Sequence, residues 1–323
     1  MTEPPLGSVF SLAGRPAPGL YAGAWFFTLI AAGLLGVALA ASSSGNAVGA
    51  DVLVIASFLA FFVAAVLAGG YQAIVRRATL DPERYRGPSP FLVFAAIFAA
   101  ANAAGAIVAL AGLGAPLGTT GRALVSVAVV APLYVLLVWF LVVREGALGW
   151  GQMGWPTTRQ LWARAMVGLG YGATATLPVL IVTVILALLL AAFLQVTPPA
   201  LLPLPVTLAD WLVDIALVVI LAPIGEELFY RGFAQTAWTR DLGVRAALVR
   251  ASVFFAVVHA VSTTGVDFSE GLRLAVVATV VRLPVSFGLG WVFARSGSIA
   301  APVGLHAAFN GLTLILAALA GPT

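Results

Sequence analysis

Apolar runs of membrane-spanning length recur along the whole chain. The stretch "TLPVLIVTVILALLLAAFL" at 176–194 contains no charged residue, and comparable runs occupy roughly 20–41, 52–75, 91–113, 123–143, 167–195, 207–226, 246–261, 272–294 and 297–320. At 1.5 Å of rise per residue, about 20 apolar residues in a helix cross a hydrocarbon layer of about 30 Å. Barrel strands would be shorter and would alternate between apolar and polar residues. The runs therefore predict an all-α, polytopic membrane helix bundle of about eight or nine hydrophobic helices. The run at 246–261 is short, which suits a re-entrant segment or one supported by protein neighbours.

Composition excludes the alternatives. With 62% hydrophobic and 9% charged residues and a mean hydropathy of +1.08, the chain lies far from a soluble domain, which is about half apolar and a quarter charged. There is no cysteine, so disulfides, thiolate metal ligands and a cysteine nucleophile are excluded. The net charge of +4 does not indicate nucleic acid, because the basic residues are all arginines scattered through connecting segments.

In a membrane protein those arginines report topology. The segment 76–90, "RRATLDPERYRGPSP", is rich in them; 144–165 holds Arg144, Arg159 and Arg164, and 231–250 holds Arg231, Arg240, Arg245 and Arg250. The connections 42–51, 196–209 and 262–271 have none. The arginine-rich connections are expected in the cytoplasm, with residues 1–19 forming a cytoplasmic N-terminal segment. The "ALAAS" at 38–42 resembles a signal-peptide cleavage site, but the apolar region before it is longer than a signal core. Residues 20–200 are expected to form N-terminal transmembrane helices of unassigned role. They continue without a break into a helical core at 201–323.

Polar residues inside the apolar helices concentrate in the last third: Glu226, Glu227, Arg231, His259, His306 and Asn310. Charges in hydrocarbon cost several kcal/mol unless paired or wetted, so each needs a justification. Glu227 and Arg231 are spaced i, i+4 in the favourable order, acid first, and are expected to form an ion pair. Glu226 lies about 100° round the helix and is left free, although the adjacent glutamates would exchange roles if the helix were rotated. A turn at Asp241–Gly243 would make a helical hairpin with arms of about 23 Å, bringing Glu226 level with His259. In "GLHAAFNGL", His306 and Asn310 share a helix face, with Gly304, Ala307, Ala308 and Gly311 permitting close approach of neighbours.

These parts compose a hydrolytic site. Glu226 would take a proton from water, His259 would position that water, and His306 with Asn310 would donate hydrogen bonds to a developing oxyanion. No GxSxG elbow is present, so attack by activated water is preferred to a covalent route. Zinc is the competing chemistry: Glu226, His259 and His306 would be its ligands, though the HExxH spacing is absent.

"EELFYR" at 226–231 fits E-E-x-x-x-R, "FAVVH" at 255–259 fits F-x-x-x-H, and "HAAFN" at 306–310 fits H-x-x-x-N. In this order they resemble the CAAX protease and bacteriocin-processing family, also called the Abi family, of intramembrane endopeptidases. The resemblance covers the chain from about residue 210 to its end. It implies a helical membrane core with a cavity open to the cytoplasm, cleaving peptide bonds of membrane-associated proteins or peptides. It assigns water activation to Glu226 and His259, oxyanion stabilisation to His306 and Asn310, and support to Glu227, Arg231 and Phe255. It leaves both a glutamate-type and a metal-dependent enzyme open. Arginine-only, alanine-rich usage suggests a bacterial plasma membrane, where prenylated substrates would be unexpected. A non-catalytic immunity or scaffolding protein would retain the same motifs. A transporter would need two related halves, and none is evident.

Other intramembrane polar residues have simpler expectations. Asp210 and Asp214 are read as solvated acids at a helix start, Asn102 as an interhelical contact, and Trp150, Trp155 and Trp162 as interfacial anchors. Arg282, inside an apolar run, is expected to pair with a buried carboxylate or to meet a carboxylate of the substrate.

Overall fold

The computed structural model describes residues 11–112, 118–194, 205, 207–261 and 267–320. Residues 1–10 of the expected cytoplasmic segment lie outside them. Among the described residues every regular element is helical. Seven helical stretches are long and apolar enough to cross a bilayer, and Val127–Val143 is a shorter apolar helix. The protein is an all-α polytopic membrane bundle, and the chain divides into two compact units, Met1–Leu148 and Gly149–Thr323.

In the first unit, α1 (Pro18–Ser43), α2 (Ala47–Thr79), α3 (Pro90–Leu110) and α4 (Gly118–Val138) pack in sequence, each on the next. Short-range signals set the boundaries. The Asn46 side chain accepts a hydrogen bond from the Gly49 N–H at 3.0 Å, and Ser89 caps α3 just ahead of Pro90, whose missing N–H costs nothing in a first turn. The α4 helix runs on into a π-helical turn, Trp139–Val143.

The second unit carries the residues of interest. The run expected at 167–195 starts earlier, as α5 (Arg159–Thr174), and α6 (Thr176–Leu194) follows after an interruption at Ala175. Next comes a continuous helical rod, Leu208–Leu242. It comprises α7 (Leu208–Asp214), a π turn (Ile215–Leu221), α8 (Ala222–Glu227), a second π turn (Leu228–Gln235) and α9 (Thr236–Leu242). The span expected to close at 226 continues to 242 because the polar residues beyond it find partners inside the protein. Pro223 has no N–H to give to an upstream carbonyl, a local reason for altered winding there.

Gly243, at φ 80°, ends the rod and lets α10 (Val244–Ala260) fold back, a backbone conformation that favours glycine. This is the hairpin expected at 241–243. Then come α11 (Phe268–Ser296), a left-handed Gly297, and α12 (Ala300–Ala320). Two features fix the registers. The rod and α11 run parallel: Arg231 bonds to Ser286 and Gln235 bonds to Gly290, a constant separation of 55 residues in sequence. The α5 and α12 backbones nearly touch, so that a side chain at Gly172 or Gly304 would strike the carbonyl of Ala301 or Leu169 respectively.

Candidate active site

The two glutamates of the rod have opposite fates. The Glu227 side chain is 0% exposed, and its Oε1 accepts from Arg231 Nη1 at 3.1 Å and from His306 Nδ1 at 2.8 Å. The i, i+4 pair expected from sequence is therefore present, with a third member from α12. Arg231 is also 0% exposed and spreads its guanidinium further: Nη2 donates to the Ser286 carbonyl at 3.0 Å and to Ser286 Oγ at 2.9 Å. Ser286 Oγ in turn donates to the Ser252 carbonyl at 3.0 Å, tying α10 to α11. A buried ion pair offsets its desolvation only when further hydrogen bonds complete it, and this network provides them.

Glu226, one residue away, keeps 19% of its side chain exposed and forms no hydrogen bond to any described residue. Two imidazoles face it. His259 Nε2 lies 3.7 Å from Glu226 Oε2, and His306 Nε2 lies 3.9 Å from the same oxygen. The partners of the far ring nitrogens fix the tautomers. His259 Nδ1 sits 2.9 Å from the Phe255 carbonyl, which can only accept, so Nδ1 bears the hydrogen. The Glu227 carboxylate likewise accepts from His306 Nδ1. With Nδ1 bearing its hydrogen, His259 turns Nε2 toward Glu226 Oε2, and His306 Nε2 faces the same oxygen. Both Nε2 atoms thus stand beyond direct hydrogen-bond distance of Glu226 Oε2, at spacings that a bridging water spans.

Phe255 is the spacer of this cluster. Its ring lies 4.3 Å from the His259 ring and 5.8 Å from the His306 ring, and the Arg231 guanidinium stands 4.6 Å from its centroid. Asn310 is placed differently from His306: its Nδ2 donates to the Val218 carbonyl at 2.9 Å. Val218 belongs to the first π turn, where the hydrogen-bond pattern of the helix is altered. The amide retains a second N–H.

Zinc was a candidate for Glu226, His259 and His306. Tetrahedral bonds of about 2.0–2.1 Å bring ligand atoms to about 3.3 Å from one another, closer than 3.7 and 3.9 Å. Among the described residues no group of three His, Asp or Glu side chains is gathered to hold a metal ion. The three side chains are not drawn together to zinc-bonding distances.

The remaining polar residues sort themselves. Asp210 forms a capping box with Thr207 at the rod's start, as a helix-start acid should. Asp214, expected to be solvated, is instead 0% exposed, because its helix face turns into the unit. Arg282 donates one N–H to the Ala278 carbonyl at 3.0 Å and forms no ion pair with any described carboxylate. Asn102 bonds to the Phe98 carbonyl of its own helix at 2.8 Å, not across to a neighbour. Sequence reasoning missed Ser252, Ser286 and Gln235. Each is nearly or fully buried and hydrogen-bonded.

Comparison with known families finds a match within the second unit. Residues 208–312, about a third of the chain, match the family described as type II CAAX prenyl endopeptidase, Rce1-like. The match begins at the first residue of the rod and ends within α12, so it contains Glu226, Glu227, Arg231, His259, His306 and Asn310. No curated protein and no solved structure matches the chain.

Proposed function

We propose that the protein is an intramembrane endopeptidase of the CAAX-protease type, hydrolysing a peptide bond in a membrane-associated protein or peptide. The observation that carries this is the convergence of Glu226 Oε2 with the Nε2 atoms of His259 and His306, at 3.7 and 3.9 Å, beside a second glutamate already committed to Arg231 and His306. The similarity of residues 208–312 to a prenyl-endopeptidase family supports the same reaction class.

In the proposed mechanism a water held between Glu226 and His259 gives up a proton to the Glu226 carboxylate as its oxygen attacks the scissile carbonyl. The proton then passes to the leaving amine, and the carboxylate is regenerated. His306, oriented through Nδ1 by Glu227, donates from Nε2 to the oxyanion, and the second N–H of Asn310 assists. Arg231 holds Glu227 in place. Phe255 fixes the planes of both imidazoles. No covalent intermediate forms.

The arginine-rich connections face the cytoplasm in this proposal, in a bacterial plasma membrane with the N-terminus inside. The test is purified protein in lipid nanodiscs with a membrane-anchored fluorogenic peptide library. Cleavage by wild type that is lost in Glu226→Gln and in His259→Ala is the expected result. Activity that survives both substitutions would overturn the mechanism, and no cleavage by wild type would favour a non-catalytic immunity or scaffolding role.

A further inference from the structure

Arg282 is a cation of the second unit that the catalytic proposal leaves without a task. It lies inside α11, a helix apolar enough to span the membrane, where an arginine without a counter-charge is costly. Its hydrogen bond to the Ala278 carbonyl engages one of five guanidinium N–H groups. Arg231, the other arginine inside a spanning helix near the site, is fully enclosed and spent on Glu227 and Ser286. Arg282 is only partly buried.

The helix register says where Arg282 stands. Along the parallel rod and α11, Arg231 meets Ser286 and Gln235 meets Gly290, both separated by 55 residues. One turn back on each helix, the same offset pairs Glu227 with Arg282. Arg282 therefore sits at the level of the two glutamates, one turn of about 6 Å before Ser286. A half-buried guanidinium at the depth of the reacting groups, with most of its planar fork uncommitted, is an anion receptor.

We infer that Arg282 binds a carboxylate of the substrate next to the scissile bond and so acts as a specificity residue of the site. This rests on the endopeptidase proposal, in which a peptide lies across Glu226 and His259. The carboxylate is that of a free C-terminus or of an acidic side chain close to the cleavage point. Either would receive two parallel N–H donors from Arg282 in a low-dielectric setting, where a charged partner is preferred to a neutral one by about tenfold or more.

The experiment measures binding separately from turnover. An N-acylated, fluorescein-labelled apolar octapeptide is prepared with a free carboxylate terminus, with an amidated terminus, and with an amidated terminus plus one aspartate near it. Anisotropy titrations use wild type, Arg282→Gln, Arg282→Lys and Glu226→Gln protein in nanodiscs. Wild type and Glu226→Gln should bind at least one carboxylate form about tenfold more tightly than the plain amide. Arg282→Gln should remove that difference while binding the amide unchanged, and Arg282→Lys should restore part of it. Which carboxylate form is preferred identifies the source. Equal binding of all three peptides by wild type, or a preference that persists in Arg282→Gln, would overturn the inference. The same peptides are followed for cleavage: turnover without discrimination would sink the Arg282 role alone, and discrimination without turnover would sink the endopeptidase proposal alone.

Discussion

His306 and Glu227 are joined by a 2.8 Å hydrogen bond that ties α12 to the helical rod across 79 residues of sequence. The bond makes the second glutamate of the pair a fixed acceptor, shared between Arg231 and an imidazole whose other nitrogen faces Glu226. The two adjacent carboxylates are thereby separated into one bound within the protein and one that faces the Nε2 atoms of the two histidines.

Substitution should separate them in the same way. Glu226→Gln is expected to retain the wild-type melting temperature and to lose about 10²–10⁴ in kcat, the usual contribution of a general base. Glu227→Gln leaves Arg231 buried without its counter-charge and is expected to cost about 3–5 kcal/mol of stability. Differential scanning fluorimetry beside the cleavage assay checks both. The reverse pattern would mean that the roles are exchanged.

Ser286→Ala removes one of the two Ser286 acceptors of Arg231 Nη2, together with the hydroxyl that donates to the Ser252 carbonyl. A hydrogen bond to a charged group contributes about 1.5–3 kcal/mol, so the melting temperature should fall. Turnover of the folded fraction should change little, because Arg231 keeps Glu227. A large loss in kcat at unchanged stability would instead place Ser286 in the chemistry.

Gly304→Ala is expected to force α5 and α12 apart, because the new methyl group meets the backbone carbonyl of Leu169. Overpacking of this kind costs about 1–3 kcal/mol, and His306 lies two residues further along the displaced helix. Activity should fall more steeply than stability. Gly311→Ala is the control on the same helix, since its nearest neighbour would be Val219 Cγ1 at an ordinary 3.7 Å. Equal effects at the two sites would refute the close-approach explanation.

Removal of divalent metals should leave peptide cleavage intact, in keeping with ligand atoms at 3.7 and 3.9 Å instead of about 3.3 Å. Protein purified through strong chelator, verified metal-free by mass spectrometry and assayed in chelator, is the measurement. Activity that disappears and returns only with zinc would overturn the water-site description.

Much of this arrangement can be read from local spacing. The Glu227–Arg231 pair follows from i, i+4 geometry, and the hairpin that levels Glu226 with His259 follows from a glycine after a short polar turn. The contacts that were not legible are those decided by tertiary packing. His306 and Asn310 share a helix face, and spacing alone does not show that His306 Nδ1 bonds to Glu227. Asn310 reaches the Val218 carbonyl, inside a π turn that apolar periodicity does not reveal. Ser252 and Ser286 are single hydroxyls in apolar helices, with no pattern to single them out. Asp214 looked solvated from its place near a helix start, but a single residue's facing is set by neighbours that sequence spacing does not name.

The π turns at Ile215–Leu221 and Leu228–Gln235 bracket the six residues that carry both glutamates. A π turn holds one residue more than the α turn it replaces, so each acts as a phase shift in the winding of the rod. Excising one residue from the first would turn everything after it by about 100°, the angle that separates Glu226 from Glu227. Which carboxylate faces the Nε2 atoms of both histidines is therefore set by the winding of the helix as well as by the identity of its residues. Single-residue insertions and deletions in 215–221 would re-aim both glutamates without substituting either one.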